Sequence, residues 1–526
     1  MRAMNIESVT SKTRLLLASA AIALLAATAQ AAAPGITGTG TAGTFNLTAQ
    51  PAFLSQPDGQ AVYSWGYGCA SGSAPSFAPA AITTGFCSTM QVPGPTLIVT
   101  QGQTVTVKLT NSLPGAAGNT SILFPGFDVS SSGGVTGLLT QEAAPGGSVT
   151  YTFTATTPGT RAYYSGTQTD LQVEMGLYGA IIVLPSTIPA ACTTGLAAAN
   201  LTVESHWGES DFRLAPAAYN HARACYDREY LFQFSEMDPA IHRLAEDQST
   251  RTCTGCMNVA VEPYHPAYFM INGRSMPDDM DPNYAQQYPH QPYNGNPHMH
   301  PGEQVLLRII GQGRWQHPFH EHGNHVRVLA RDGNLILSQT TSTDLAGPLL
   351  FTTTTTPGQA MDGIYYWTGK GLNWDAYGHN PASSDANAKL PCVPDANGYN
   401  TGVAAQSAIN YYEWCQDHNK PLELAPFGDV EGGGPATLPD PNILTNGAWY
   451  GGSPYLGPDA TVRSVGPTGT TPPAGTVADS PTGEAGFAFM WHSHNEREIT
   501  TNNIFPGGML MMMLVDSREF VIDESN

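Results

Sequence analysis

Met490-Trp491-His492-Ser493-His494, followed by Phe505-Pro506-Gly507-Gly508-Met509, is the stretch on which the reading of this chain turns. Alternate residues of a β-strand project from the same face, so His492 and His494 share one side and Ser493 takes the other. A second run, His317-Pro318-Phe319-His320-Glu321-His322-Gly323, repeats the device and aims His320 and His322 together. Two His-x-His pairs on strand-like segments predict one imidazole-lined metal pocket.

Working outward, the same period of two recurs. Thr104 to Lys108 and Val149 to Thr154 alternate polar and β-branched or aromatic residues, and 56 glycines and 41 prolines punctuate the 526 residues. Short strands with tight turns, and an all-β sandwich class, follow.

The resemblance to the multicopper oxidase family, built from cupredoxin domains, extends well beyond the histidines. Val92 to Val99, Gly102 to Val107, Gly133 to Gln141, Ser148 to Phe153 and Gly176 to Ala180 resemble the family's first domain. Ile271 to Arg274, Pro301 to Arg308 and Val328 to Gly333 resemble the framework of its copper-binding second half. The resemblance implies tandem cupredoxin-like Greek-key β-sandwich domains. The order of motifs divides the chain into a leader (1–31), a first domain (32–190) and a second (191–526), the last carrying a loop-rich insertion at about 371–484. That insertion reads as either a lid or partner surface over the metal domain, or a solvated loop.

The departures from the family weigh as much. The resemblance implies two first-domain His pairs, but those positions read Leu123 and Pro125, and Tyr164 and Gly166. It also implies an electron-accepting copper held by two histidines, a cysteine and a methionine; here those positions read His317, Ser493, Glu498 and, after extra residues, Met509. A serine hydroxyl is hard and protonated near neutral pH, so Ser493 replaces a thiolate neither as copper ligand nor as electron conduit. An ordinary laccase mechanism is therefore not expected.

What survives is His320, His322, His492 and His494. The expectation is a single type-2-like copper ion per chain on two to four of these imidazoles; zinc and other divalent metals suit imidazole too. His317, Glu498 and Met509 are weaker ligand candidates. Glu321 and Glu496 read as surface carboxylates in preference to hydrogen-bond acceptors around the metal. His298-Met299-His300, before the Pro301-Gly302 turn signal, reads as a solvated loop. His325 either orients the pocket or faces solvent. The run Met509 to Met513 reads as a core strand before it reads as a copper-transfer motif.

Arg2, Lys12 and Arg14 precede an apolar run from Leu15 to Ala27, and Ala29-Gln30-Ala31 supplies a cleavage pattern. Export to the periplasm or beyond is expected, with no membrane span. Eight cysteines suit an oxidising compartment. Cys69 with Cys87 and Cys392 with Cys415 read as local pairs; Cys253 and Cys256 pair with each other or with Cys192 and Cys225. The formal charge of −21 repels nucleic acid and anionic lipid, while metal ions or small cationic reductants are suitable visitors. The resemblance also implies a homotrimer as one assembly.

Three function classes follow: a copper-dependent oxidoreductase using the residual site, a copper storage or tolerance protein without turnover, and a scaffold that kept the fold and lost the chemistry. The natural substrate is not written in the chain.

Overall fold

The computed structural model describes residues 33–370 apart from 40–42, 74, 195–198, 202–204, 206–207 and 342. Beyond 370 it describes 392–402, 411–415, 452–456, 478–479, 486–516, 518 and 521–524. The leader and most of the 371–484 stretch thus lie outside the described residues.

The fold is all-β, and its large sheets come in two pairs. One pair is drawn from strands between Gly35 and Leu184, the other from strands between Arg228 and Asp516. Within each sheet strands far apart in sequence lie side by side: Tyr178–Leu184 runs parallel to Gly94–Thr100, and Arg228–Met237 parallel to Gln304–Gly311.

Alternation in the sequence becomes alternation in burial. Along Thr104–Asn111, Val105, Val107 and Leu109 are wholly buried between the first two sheets, while Thr104 and Lys108 face out. Two strands instead bury both faces, because the two pairs of sheets pack against each other. Tyr178–Leu184 sends Ile181 and Val183 into its own sandwich and Ala180 and Ile182 outward, onto Leu231, Ile310 and Ala360. Arg228–Met237 does the same: Tyr230, Phe232 and Phe234 fill the second core, while Ser235 meets Tyr178 of the first pair and Gln233 accepts from Gln312, whose amide also reaches the Gly179 carbonyl there. Buried polar groups on this seam must find partners there. Tyr178 donates to Ser235 at 2.7 Å, and Asp362 accepts from the Thr160 hydroxyl at 2.6 Å.

All eight cysteines are paired, as Cys69–Cys87, Cys192–Cys225, Cys253–Cys256 and Cys392–Cys415. The alternative left open by spacing is resolved in favour of a local Cys253–Cys256 bond. No helix among the described residues is long and apolar enough to cross a membrane.

Candidate metal centre

Two strands of the second sandwich, His317–Glu321 and Gly486–Ser493, lie antiparallel with Phe319 opposite Ser493, His320 opposite His492 and Glu321 opposite Trp491. This register sorts the side chains by parity. Phe319, Trp491, Phe489 and Met511 belong to the apolar core, so His317, Glu321 and Ser493, in step with them, point inward. His320, His322, His492 and His494 share the opposite face.

On that face four imidazoles gather. Ring centroids lie 4.8 Å apart for His320 and His322, 5.1 Å for His322 and His492, 4.9 Å for His320 and His494, and 5.5 Å for His492 and His494. His322 Nε2 and His492 Nε2 are 3.2 Å apart. His492 Nδ1 lies 2.7 Å from the Ser493 carbonyl, which only accepts, so Nδ1 carries the proton and Nε2 of the neutral ring offers its lone pair. His320 Nδ1 meets Thr352 Oγ1 at 2.9 Å. Burial, reinforced by the neighbouring His492 and His494, pulls His320 down to about 4, and burial lowers His492 as well. Both rings are therefore neutral near pH 7, as ligands must be.

The donor set can be tested against an ion. Two imidazole nitrogens each about 2.0–2.1 Å from one ion at a tetrahedral angle stand about 3.3 Å apart. The His322–His492 separation fits that geometry. Among the described residues, no group of three or more His, Cys, Asp or Glu side chains is placed to hold a metal ion together. His494 is half-exposed and His320 turns toward Thr352 and Phe351, so the pair is the pre-formed part. The rim carries an exposed aromatic, Phe351, whose ring touches both His320 and His325. His325 thus lines the edge of the group.

The inward face tells a different story. Glu498 Oε2 accepts from Ser493 Oγ and meets His317 Nδ1 at 3.0 Å, while His317 Nε2 lies 3.0 Å from Glu236 Oε2. Burial pulls the His317 imidazolium down, but the hydrogen bonds to Glu236 and Glu498 outweigh it and leave the ring raised to about 9. His317 is thus a buried cation between two carboxylates rather than an open ligand. Met509 is wholly buried in the second core, its N–H bonded to the Glu498 carbonyl at 2.8 Å.

Glu236 is the residue that sequence reading missed. Its signal was present: Tyr230, Phe232, Phe234 and Glu236 share one parity, so the carboxylate ends a core-facing stripe.

Two expectations are corrected. Glu321 is no surface carboxylate: it is fully buried on the inner face, accepts from Thr353 Oγ1, and burial pushes it up to about 8 despite that bond. Glu496 is exposed as expected. His298 and His300 are not in a solvated loop. His298 lies on a short strand, His298–Met299, beside the C-terminal strand, His300 directly follows it, and the two are 2% and 1% exposed. Asp516 Oδ2 lies 2.6 Å from His298 Nδ1 and Glu209 Oε1 2.5 Å from His300 Nε2. The methionine run reads correctly as core, with Met509, Met511 and Met513 buried in one cluster.

Three of the four ligand-depleted positions of the first sandwich, Leu123, Tyr164 and Gly166, do come together. Leu123 and Tyr164 exchange backbone hydrogen bonds at 2.8 and 3.3 Å, and a Cβ on Gly166 would collide with the Leu123 side chain. Tyr164 lies against Gly358 of the second sandwich, at the seam between the two pairs of sheets.

Residues 80–187 match the family model of multicopper oxidase. No curated protein matches the chain. Among solved structures it is similar to the multicopper oxidase mgLAC, at 15% identity over 90% of this chain and 85% of that one, with a TM-score of 0.42. It is similar also to a blue copper oxidase from Nitrosomonas europaea, at 14% identity over 89% and 85%, TM-score 0.42. A copper nitrite reductase from the same organism matches at 18% identity over 61% and 84%, with a TM-score of 0.36.

Proposed function

We propose that this chain, a member of the multicopper oxidase family by its first domain, is an exported copper-binding protein that acts as an oxidoreductase through the residual imidazole group alone. The observation that carries the reading is the 3.2 Å approach of His322 Nε2 to His492 Nε2. His322 and His492 would hold one copper ion, with His320 or His494 closing the set. A copper ion so held supplies one-electron chemistry and an open position for a small oxidant or reductant.

The chain's own residues set the terms of that chemistry. The Ser493 carbonyl fixes the His492 tautomer and keeps Nε2 aimed at His322. Trp491 Nε1 and the Tyr365 hydroxyl both donate to the His322 carbonyl, at 2.9 and 3.2 Å, and brace that turn of chain from the core side. Half-exposed His494 and exposed Phe351 leave the group reachable from solvent. Four disulfides support an oxidising compartment, periplasmic or extracellular.

The test is copper loading of the full chain, desalting, metal analysis and EPR, beside a His322→Ala, His492→Ala double variant. About one copper per chain with a type-2 signal, lost in the variant, supports the reading; trace metal in both rejects it. Oxygen or peroxide consumption then separates turnover from storage. One observation favours the second reading, copper held without turnover: the inward face offers a hydrogen-bonded clamp where a redox relay would stand. A trimer, the assembly that the resemblance implies, is tested by light scattering on the same sample.

A further inference from the structure

His317, Ser493 and Glu498 meet on the inner face of the sheet at a single atom, Glu498 Oε2. Every polar atom around that point is engaged. Glu236, on the far side of the imidazole, is held by the backbone N–H groups of Arg314 and Trp315 at 2.7 and 2.9 Å and by the Tyr264 hydroxyl at 3.2 Å. Asn495 closes the near side, its N–H reaching Ser493 Oγ at 3.2 Å and its Nδ2 reaching Glu498 Oε1 at 2.9 Å. His317, Ser493, Glu498 and Glu236 are each no more than 2% exposed.

A blue-copper centre requires two imidazole nitrogens and a thiolate in a trigonal arrangement, with a distant thioether. These positions offer one imidazole, a hydroxyl and a carboxylate, already saturated by one another. An incoming ion would have to strip the proton from His317 Nδ1 and take from Glu498 both of the donors on Oε2. A buried carboxylate oxygen left without its donors costs its full desolvation. The convergence itself is intact. Glu236 keeps Nε2–H engaged, which turns Nδ1 toward the meeting point, as carboxylates behind metal-binding imidazoles do.

We propose that Ser493, Glu498, His317 and Glu236 form a metal-refusing clamp with the convergence of a blue-copper centre, so that Ser493→Cys together with Glu498→His builds one. This inference is independent of the outer imidazole group, which lies on the other face of the strands.

The experiment titrates Cu(II) into the full-length wild type, the Ser493→Cys variant and the double variant, read by visible absorption and EPR, with folding checked by circular dichroism. The expected result is the intense absorption and narrow copper hyperfine splitting of a thiolate-bound cupric ion in the double variant alone. That band in Ser493→Cys by itself overturns the refusal, and a folded double variant without it overturns the convergence. Should the double variant not fold, His317→Gln decides: a bound-copper count equal to wild type supports the clamp, and loss of one copper per chain overturns it.

Discussion

His320 faces His492 across two antiparallel strands, and on the adjacent rung Phe319 faces Ser493. One step of register therefore separates a solvent-reachable imidazole group from a sealed hydrogen-bonded clamp, and a single sheet carries both. A slip of one residue would exchange the faces. What holds the register is apolar: Phe319, Phe489 and Trp491 lock into the core and leave the histidines no choice of side.

Removing one carboxylate of the clamp leaves a buried imidazolium with half its compensation. Glu236→Gln and Glu498→Gln are each expected to destabilise the fold by about 3–5 kcal/mol, the usual cost of breaking a buried pair from one side. His317→Leu in either background removes the stranded charge and recovers part of the loss. Thermal or urea unfolding of the singles and doubles reads this as strong non-additivity; simple addition would refute the pairing.

The clamp also makes stability fall with rising pH. His317 is raised from an ordinary value near 6.5 to about 9, so between these values the folded chain binds a proton that the unfolded chain releases. The contribution is complete below about 6.5 and is lost as pH passes through about 9. Its ceiling is about 3 kcal/mol, from about 1.4 kcal/mol per pKa unit. Burial of Glu174, which stands at about 8, tilts the curve in the same direction, since charging it in the folded state costs free energy. Unfolding midpoints measured from pH 6 to pH 10 are expected to drop, and to drop less in His317→Gln. A flat wild-type profile would contradict the buried cation.

The seam between the sandwiches rests on Asp362, 1% exposed and reached from the other side by the Thr160 N–H at 3.1 Å, the Thr160 hydroxyl at 2.6 Å and the nearby Tyr219 hydroxyl. Asp362→Ala strands these donors, each at a cost of about 1–3 kcal/mol. Calorimetry is expected to show a lower first transition, with the two sandwiches melting apart; an unchanged single transition would argue against the seam's dependence on this carboxylate.

The fold and the outer group were legible because their signals are local. Alternation in Thr104 to Lys108 and the parity of His-x-His are properties of a few consecutive residues, and the strands kept that parity. The clamp was half legible. His317, Ser493 and Glu498 were named from resemblance, but their meaning depends on Glu236, 81 positions from His317 in sequence. His298 and His300 were misread for the same reason: the Pro301-Gly302 turn is local and suggests solvent, whereas the partners that bury them, Asp516 and Glu209, come from 218 and 91 positions away. A polar residue beside a turn signal has no local mark of burial. Core-facing parity, as in Glu236 after Phe234, is the nearest thing to one.

Gly273 makes the last case, because its motif was read as framework and its role is steric. Its φ is +81°, and a Cβ built there would lie 2.1 Å from the Val92 carbonyl oxygen of the first sandwich. The neighbouring Asn272 sends Nδ2 to the Leu231 and Asn294 carbonyls at 2.7 and 2.6 Å, so the turn cannot swing away without breaking buried bonds. Gly273→Ala thus meets both a left-handed backbone penalty of roughly 1 kcal/mol and a backbone collision that neither sandwich can relieve alone. The expected outcome is a loss of several kcal/mol with the first and second sandwiches pushed apart, seen as a lowered melting temperature and new protease sensitivity near Val92. An alanine tolerated within about 1 kcal/mol would mean that the two sandwiches are not held in this close approach.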